Sequence, residues 1–241
     1  SAWYNTWFNS PYYHILYKDR DQEEAIRFIN HLNEYFDFQS SDKVLDLACG
    51  KGRHAIYLNS LGLDVVGVDL SPKNIAYAQQ FENDRLHFYV HDMREVFQTN
   101  AFDYVLNLFT SIGYFDTEEE NEQAIIAATQ ALKPGSKMVI DFLNPYTVID
   151  RLVPSEIKIV KGIQFKIDKY LNAKNFIVKN ISFEDQGRKF QFQEKVKAIR
   201  KIEFLRDFIK ADLKLLGNYG DYNLNPYDHE NSERMIFVLQ K

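Results

Sequence analysis

Val44 to His54, VLDLACGKGRH, is the stretch whose reading decides the fold of this chain. A short apolar run carrying one acid, Asp46, leads into a loop of small residues, Ala48-Cys49-Gly50-Lys51-Gly52, and then into a second apolar run. That order reads as strand, loop and helix. Glycine in such a loop permits positive φ and lets backbone approach a ligand closely, and the helix behind it offers free N–H groups at its N-terminus. Read as Gly50-Lys51-Gly52-Arg53-His54-Ala55, the segment matches G-x-G-x-x-G/A, and Asp69 follows at the spacing of a ribose-binding acid. In a dinucleotide site, however, the first glycine follows the strand almost directly. Here four residues intervene and place the Asp46 carboxylate beside the loop, where it would repel a pyrophosphate.

Outward from this segment, residues 43 to 143 alternate between strand and helix patterns, the grammar of a mostly parallel sheet with helices on both faces. The patterns predict strands over 43–48, 64–69, 86–90, 102–108 and 137–143, with helices over about 53–61, 72–82 and 118–132. Ser71-Pro72 reads as an N-cap followed by proline at the first helical position. Lys133-Pro134-Gly135 reads as a helix stop. Upstream, residues 1–20 are dense in aromatics without a clean period and are expected to cap the domain, and residues 21–36 carry helical spacing. Downstream, residues 155–198 alternate with period two, broken at Lys161-Gly162, at 172–175 and at 185–187, which predicts an antiparallel meander. A helix over about 200–212 and strands over 213–219 and 234–240 complete the chain. With no proline- or glycine-rich linker, this is one domain, 1–241. It divides into a cap and helix (1–37), a cofactor-binding core (38–146), an inserted sheet (150–199) and a C-terminal helix and hairpin (200–241).

Composition narrows the function classes. A net charge of −5 and a pI of about 5.7 argue against a nucleic-acid partner, since phosphate neutralisation needs a basic surface. No apolar run approaches a membrane span and no signal-peptide pattern stands at the start, so the expected address is cytoplasmic. The lone cysteine, Cys49, builds neither a disulfide nor a Cys-rich zinc site and reads as compact filler, and no His/Cys/Asp/Glu cluster has metal-ligand spacing.

Ligands in open α/β sheets bind outside the carboxyl ends of the strands, a rule that gathers Asp46, Asp69, Asp92 and Asn107 around one crevice. Asp69 with Leu70, ending VVGVDL, suits a ribose diol. Asp92 and Met93 in HDM suit an adenine, the carboxylate taking the exocyclic amine and the methionine flanking the ring.

VLDLACGKGRH resembles motif I of the class I S-adenosylmethionine-dependent methyltransferases, with Ala48 in place of the first glycine. Asp46 suits the ammonium and sulfonium of that cofactor. VVGVDLS, HDMRE, FTSIGYF (109–115), LKPG and the C-terminal NYGDYNLNPYDHENSERMIFVLQK extend the likeness toward small-molecule N-methyltransferases of glycine, sarcosine and amino sugars. The resemblance implies a Rossmann-like doubly wound sheet of seven strands, mostly parallel with a last antiparallel hairpin, and an inserted β-meander roofing the acceptor. It implies that Asp46, Ala48, Gly50 and Gly52 line the methionine moiety, Asp69 the ribose, Asp92 and Met93 the adenine. Asn107 and Leu108 would contribute backbone near the amino group, and Tyr13 and Tyr17 would cover the carboxylate, which Arg53 or Lys51 would pair. Candidates for handling an acceptor proton are His14, Tyr114, Arg200 and His229, the arginine serving instead to bind an acidic group. The expected acceptor is a small polar molecule, methylated at nitrogen by a monomer or homodimer. The competing readings are an NAD-dependent oxidoreductase and a cofactor-binding protein without turnover.

Overall fold

Val44, Leu45 and Leu47 are buried on both sides of the strand they share with Asp46, the mark of a central parallel strand covered by helices on two faces. The computed structural model describes residues 2–18, 22–109 and 112–241. Along the chain come α1 (Trp3–Phe8), α2 (Pro11–Leu16), α3 (Gln22–Phe36), β1 (Lys43–Leu47), α4 (Arg53–Ser60), β2 (Asp64–Asp69), α5 (Pro72–Ala78), β3 (Leu86–Val90), β4 (Phe102–Asn107), α6 (Glu118–Ala131), β5 (Leu132–Leu143) and α7 (Pro145–Asp150). The strands β6 (Ser155–Val160), β7 (Ile163–Leu171), β8 (Phe176–Asp185) and β9 (Arg188–Lys197) follow, then α8 (Lys201–Lys210), β10 (Lys214–Tyr219) and β11 (Arg234–Gln240).

The main sheet has seven strands in the order β10-β11-β5-β4-β1-β2-β3. β1 to β5 run parallel, and β11 is antiparallel to both β5 and β10. Strand order reverses between β1 and β4, so their carboxyl ends open a crevice at the switch point. Two apolar clusters fill the two faces: one joins β1, β4, β5 and β11 to α6 and α8, the other joins them to α3, α4 and α5.

β6 to β9 form a separate antiparallel meander. At Lys161-Gly162 and Gln186-Gly187 both turn residues take positive φ, the combination that matches strand twist in a two-residue hairpin. A third cluster, including Trp7, Leu16, Phe165, Ile181 and Phe183, seals this sheet against α1 and α2.

Local details depart from the periodicity reading. The aromatic N-terminus, where no period was expected, forms two six-residue helices, the second opened by Ser10 as N-cap and Pro11 at N1. α5 ends at Ala78 and tightens into a 3₁₀ turn over 79–81. Leu132 to Ser136 belong to the irregular start of β5, where the register against β4 shifts. α7 was not anticipated; it starts where Asn144 caps Tyr146 ahead of Pro145. No helix of the described residues is long and apolar enough to cross a membrane.

Candidate active site

The loop after β1 is held by its own backbone. Cys49 N–H donates to Val68 O at 2.9 Å and Gly52 N–H to Cys49 O at 2.9 Å. Ala48, Gly50 and Gly52 all take positive φ (56°, 57° and 86°). A Cβ on Gly52 would stand 2.7 Å from the Phe88 ring, whereas one on Gly50 would meet nothing within 4 Å. Gly52 is therefore a packing residue under the loop and does not border the cavity, while Gly50 faces open space.

That space is a cavity of about 580 Å³ bounded by the carboxyl ends of β1 and β2, the segments following β3 and β4, and the cap helices α1 and α2. Asp46, Ala48, Gly50, Arg53, Asp69, Leu70, Asp92, Met93, Leu108, Tyr13 and Tyr17 all line it, which unites residues spread over nearly 100 positions. Asp69 accepts from Gly50 N–H at 3.1 Å and Ser71 N–H at 3.0 Å. Burial raises its pKa, and these bonds with the Asn74 side chain pull it back. Asp92 is gripped by Arg94, whose Nη2 lies 2.6 Å and Nε 3.0 Å from its oxygens. The guanidinium holds that carboxyl below its usual range, so Asp92 is an oriented anion with lone pairs shared between Arg94 and the cavity.

Besides Gly52, three expected positions fall elsewhere. Asn107 is buried within the sheet, donating to Leu47 O at 3.3 Å, and Leu108 reaches the wall in its place. Arg200 is the exposed N-cap of α8, bonded to Glu203. His229 packs on Tyr146 with ring centroids 4.1 Å apart, in the segment before β11. Neither Arg200 nor His229 borders the cavity. The other two candidates do border it. Tyr114 packs on Trp3 and Phe8. His14 bonds Asn74 through Nε2 at 3.1 Å, and burial with Lys51 nearby lowers its pKa to about 4. Tyr17 lines the wall with its ring, but its hydroxyl donates to Glu194 at 2.6 Å and accepts from Lys179 at 2.7 Å, on the meander side.

Tyr4, Phe8, His54, Asn74, Tyr77 and Phe109 also border the cavity and were not singled out from sequence. Asn74 had a signal, its place three residues after the Ser71 cap. His54 is buried, packed on Phe109 at 4.7 Å, and burial pushes its pKa well below the ordinary value.

Asp46 is the decisive group. It is 2% exposed, and Oδ2 has no hydrogen-bond partner among the described residues. Burial, with Asp69 nearby, drives its pKa up to about 8, against the pull of Arg53 and the Ala55 N–H. A buried carboxylate in this state calls for a cation at the cavity and disfavours a pyrophosphate. Residues 44–135 match the family described as Methyltransferase domain. Over those residues the chain is similar to methyltransferases.

The chain is 25% identical to a glycine/sarcosine N-methyltransferase of Aphanothece halophytica, over 94% of this chain and 85% of that one. It is 29% identical to a dTDP-3-amino-3,4,6-trideoxy-alpha-D-glucopyranose N,N-dimethyltransferase of Streptomyces venezuelae, over 48% of this chain and 49% of the other. The chain spans about half the length of the first curated relatives it matches, 45% and 49%. An S-adenosylmethionine-dependent methyltransferase from Clostridium acetobutylicum has the same fold, with a TM-score of 0.79 at 18% identity over 95% of each chain.

Proposed function

We propose that this methyltransferase moves the methyl group of S-adenosylmethionine to the nitrogen of a small polar acceptor. The observation that carries the reading is the buried, unpartnered Oδ2 of Asp46 on the cavity wall, which an ammonium or sulfonium would complete. In this reading Asp46, Ala48 and Gly50 hold the methionine moiety, Gly52 shapes the loop, and Asp69 with Leu70 takes the ribose. Asp92, oriented by Arg94, and Met93 hold adenine. The Leu108 backbone faces the amino group, Asn107 bracing it from the sheet, while Tyr13 and the Tyr17 ring close the cap side. Arg53 or Lys51 pairs the carboxylate. Nitrogen as the methylated atom is supported by the names of the two relatives above, and a small acceptor by the cavity's volume of about 580 Å³. A net charge of −5 supports a free metabolite as partner, with the chain a cytoplasmic monomer or homodimer.

The bound cofactor supplies a methyl group on a positively charged sulfur, whose departure needs no proton. The protein's part is then alignment and exclusion of water, which can supply much of the acceleration. His14, with a pKa lowered to about 4, is too weak a base to strip an alkylammonium. The aromatic part of the wall, with Tyr4, Phe8, Tyr114 and Phe115, instead favours the neutral amine by desolvation. Tyr114 is left as the candidate on the wall to orient the acceptor nitrogen.

Calorimetry with S-adenosylmethionine, S-adenosylhomocysteine and NAD tests the cofactor, and release of S-adenosylhomocysteine across a panel of small amines tests the acceptor. Binding of the first two without NAD, followed by turnover of an amine, is the expected result. Binding of NAD alone would overturn the reading in favour of an oxidoreductase, and cofactor binding without turnover would make this a binding protein.

A further inference from the structure

Asp141 is fully buried on β5, in the apolar run Met138 to Leu143. A carboxylate persists in such a place only with partners, and three segments supply them. Arg234, at the start of β11, donates through Nε to Oδ1 at 2.9 Å. Tyr222, in the segment between β10 and β11, donates its hydroxyl to Oδ2 at 2.9 Å. The backbone N–H of Phe109 donates to the same Oδ2 at 2.8 Å.

Phe109 is the informative partner. It follows Leu108 directly past the end of β4, and both residues line the cavity. It takes φ 58°, a conformation that costs a residue with a Cβ free energy and persists only where surroundings over-determine it. Its ring lies against His54 at 4.7 Å, Tyr222 at 5.1 Å and the Arg53 guanidinium at 4.4 Å. Asp141 itself does not border the cavity.

We propose that Asp141 is a positioning residue of the active site: its Oδ2 fixes the Phe109 peptide and thereby the Leu108–Phe109 wall facing Asp46, with Arg234 and Tyr222 holding the carboxylate in register. The inference rests on the reading that this cavity holds S-adenosylmethionine. It makes the segment between β10 and β11 a support of the cofactor site, although none of its residues touches the cavity. The Asp141→Asn amide keeps the shape but loses the negative charge that all three donors address, and one of the two acceptor oxygens.

The test compares wild type with Asp141→Asn and Tyr222→Phe, using calorimetric affinity for S-adenosylhomocysteine and hydrogen exchange at the Phe109 amide, at a temperature where all are folded by circular dichroism. Asp141→Asn should bind about tenfold more weakly, the equivalent of one lost buried hydrogen bond, with faster exchange at Phe109. Tyr222→Phe, which keeps its ring packing, should bind roughly threefold more weakly. A purely structural role would lower the melting temperature and leave the affinity of the folded protein unchanged, and that result overturns the proposal. If Asp141→Asn does not fold, Tyr222→Phe decides alone, unchanged affinity being fatal. Wild type that fails to bind S-adenosylhomocysteine overturns the cofactor reading, and the proposal with it; binding by wild type with unaltered variants overturns only the proposal.

Discussion

The hydroxyl of Tyr17, on the cap, donates to Oε1 of Glu194, on β9 of the inserted sheet, at 2.6 Å. The same oxygen accepts from the indole N–H of fully buried Trp7 at 2.7 Å, and the Lys179 ammonium lies 3.6 Å from Oε2. One carboxylate therefore ties both cap helices to a sheet more than 170 residues away in sequence. Because Tyr17 also borders the cavity, the tie supports the cavity wall as well as the inserted sheet. Glu194→Ala leaves two donors and a lysine without their acceptor and is expected to cost about 2 kcal/mol in urea unfolding and to weaken S-adenosylhomocysteine binding. Glu194→Gln, which keeps one acceptor oxygen, should recover part of both. An alanine variant with the midpoint and affinity of wild type would show that the cap is held by its aromatic packing alone.

Asp46 should make stability and binding depend on pH in opposite ways. Its folded pKa, about 8, lies above the ordinary 3.8, so the folded state binds the proton more tightly. That contribution is fully present below about pH 4 and is lost as pH rises from about 4 to about 8. Ligand-free Asp46→Asn should accordingly be less sensitive than wild type to raising the pH across that window, by urea unfolding. The variant should also bind S-adenosylmethionine at least tenfold more weakly, having lost a charge-assisted partner. In wild type at pH 7 the arriving cation displaces the Asp46 proton, and calorimetry in Tris and in phosphate should give different apparent enthalpies. Equal enthalpies in the two buffers would mean that the carboxylate is already ionised in the empty site.

What could be read from sequence was what local chemistry encodes. Asp46, Gly50 and Asp69 stand at strand ends whose apolar periodicity is plain, and the hairpin turns at Gly162 and Gly187 announce themselves by residue type. Parallel order followed from strand–helix alternation, and the antiparallel β11 from the family likeness. The cap helices were illegible because six residues cannot make a stable helix alone; Trp7 and Leu16 become helical by packing on the meander. His229 was misplaced because nothing local says that β10 and β11 sit at one edge of the sheet, away from the switch point between β1 and β4, and Arg200 because nothing local says that the start of α8 stops short of the cavity wall. Asp141 is a single acid in an apolar strand, and its meaning appears only when Phe109, Tyr222 and Arg234 converge on it.

His14 gives a pH effect of the opposite sign. Burial and the Lys51 charge lower its pKa to about 4 from 6.5, so the unfolded chain binds the proton more tightly than the folded one. Its contribution is fully present above about pH 6.5 and is lost as pH falls toward 4, the direction opposite to Asp46 over the shared range. His14→Gln should therefore lose less stability than wild type between pH 7 and pH 5, by thermal unfolding. In the NMR spectrum of wild type the His14 ring should show no titration between pH 8 and pH 5. A midpoint near 6.5 would show that the ring is solvated and would restore it as a candidate base.

Gly50 and Gly52 should separate binding from stability within one loop. Both have positive φ, at 57° and 86°, so alanine at either carries backbone strain of about 1 kcal/mol. At Gly52 the added Cβ would also stand 2.7 Å from two Phe88 ring atoms and 3.3 Å from the Ala78 Cβ. Phe88 is fully buried and has nowhere to retreat, so Gly52→Ala should cost about 3 kcal/mol in all. At Gly50 the Cβ meets nothing within 4 Å and stands at the cavity wall. Gly50→Ala should lose only the strain in urea unfolding, yet weaken S-adenosylhomocysteine in calorimetry by more than Gly52→Ala does in its folded fraction. The reverse ranking, with Gly50→Ala binding normally, would mean that the ligand does not approach the loop at Gly50 and would move the methionine-binding surface elsewhere on the wall.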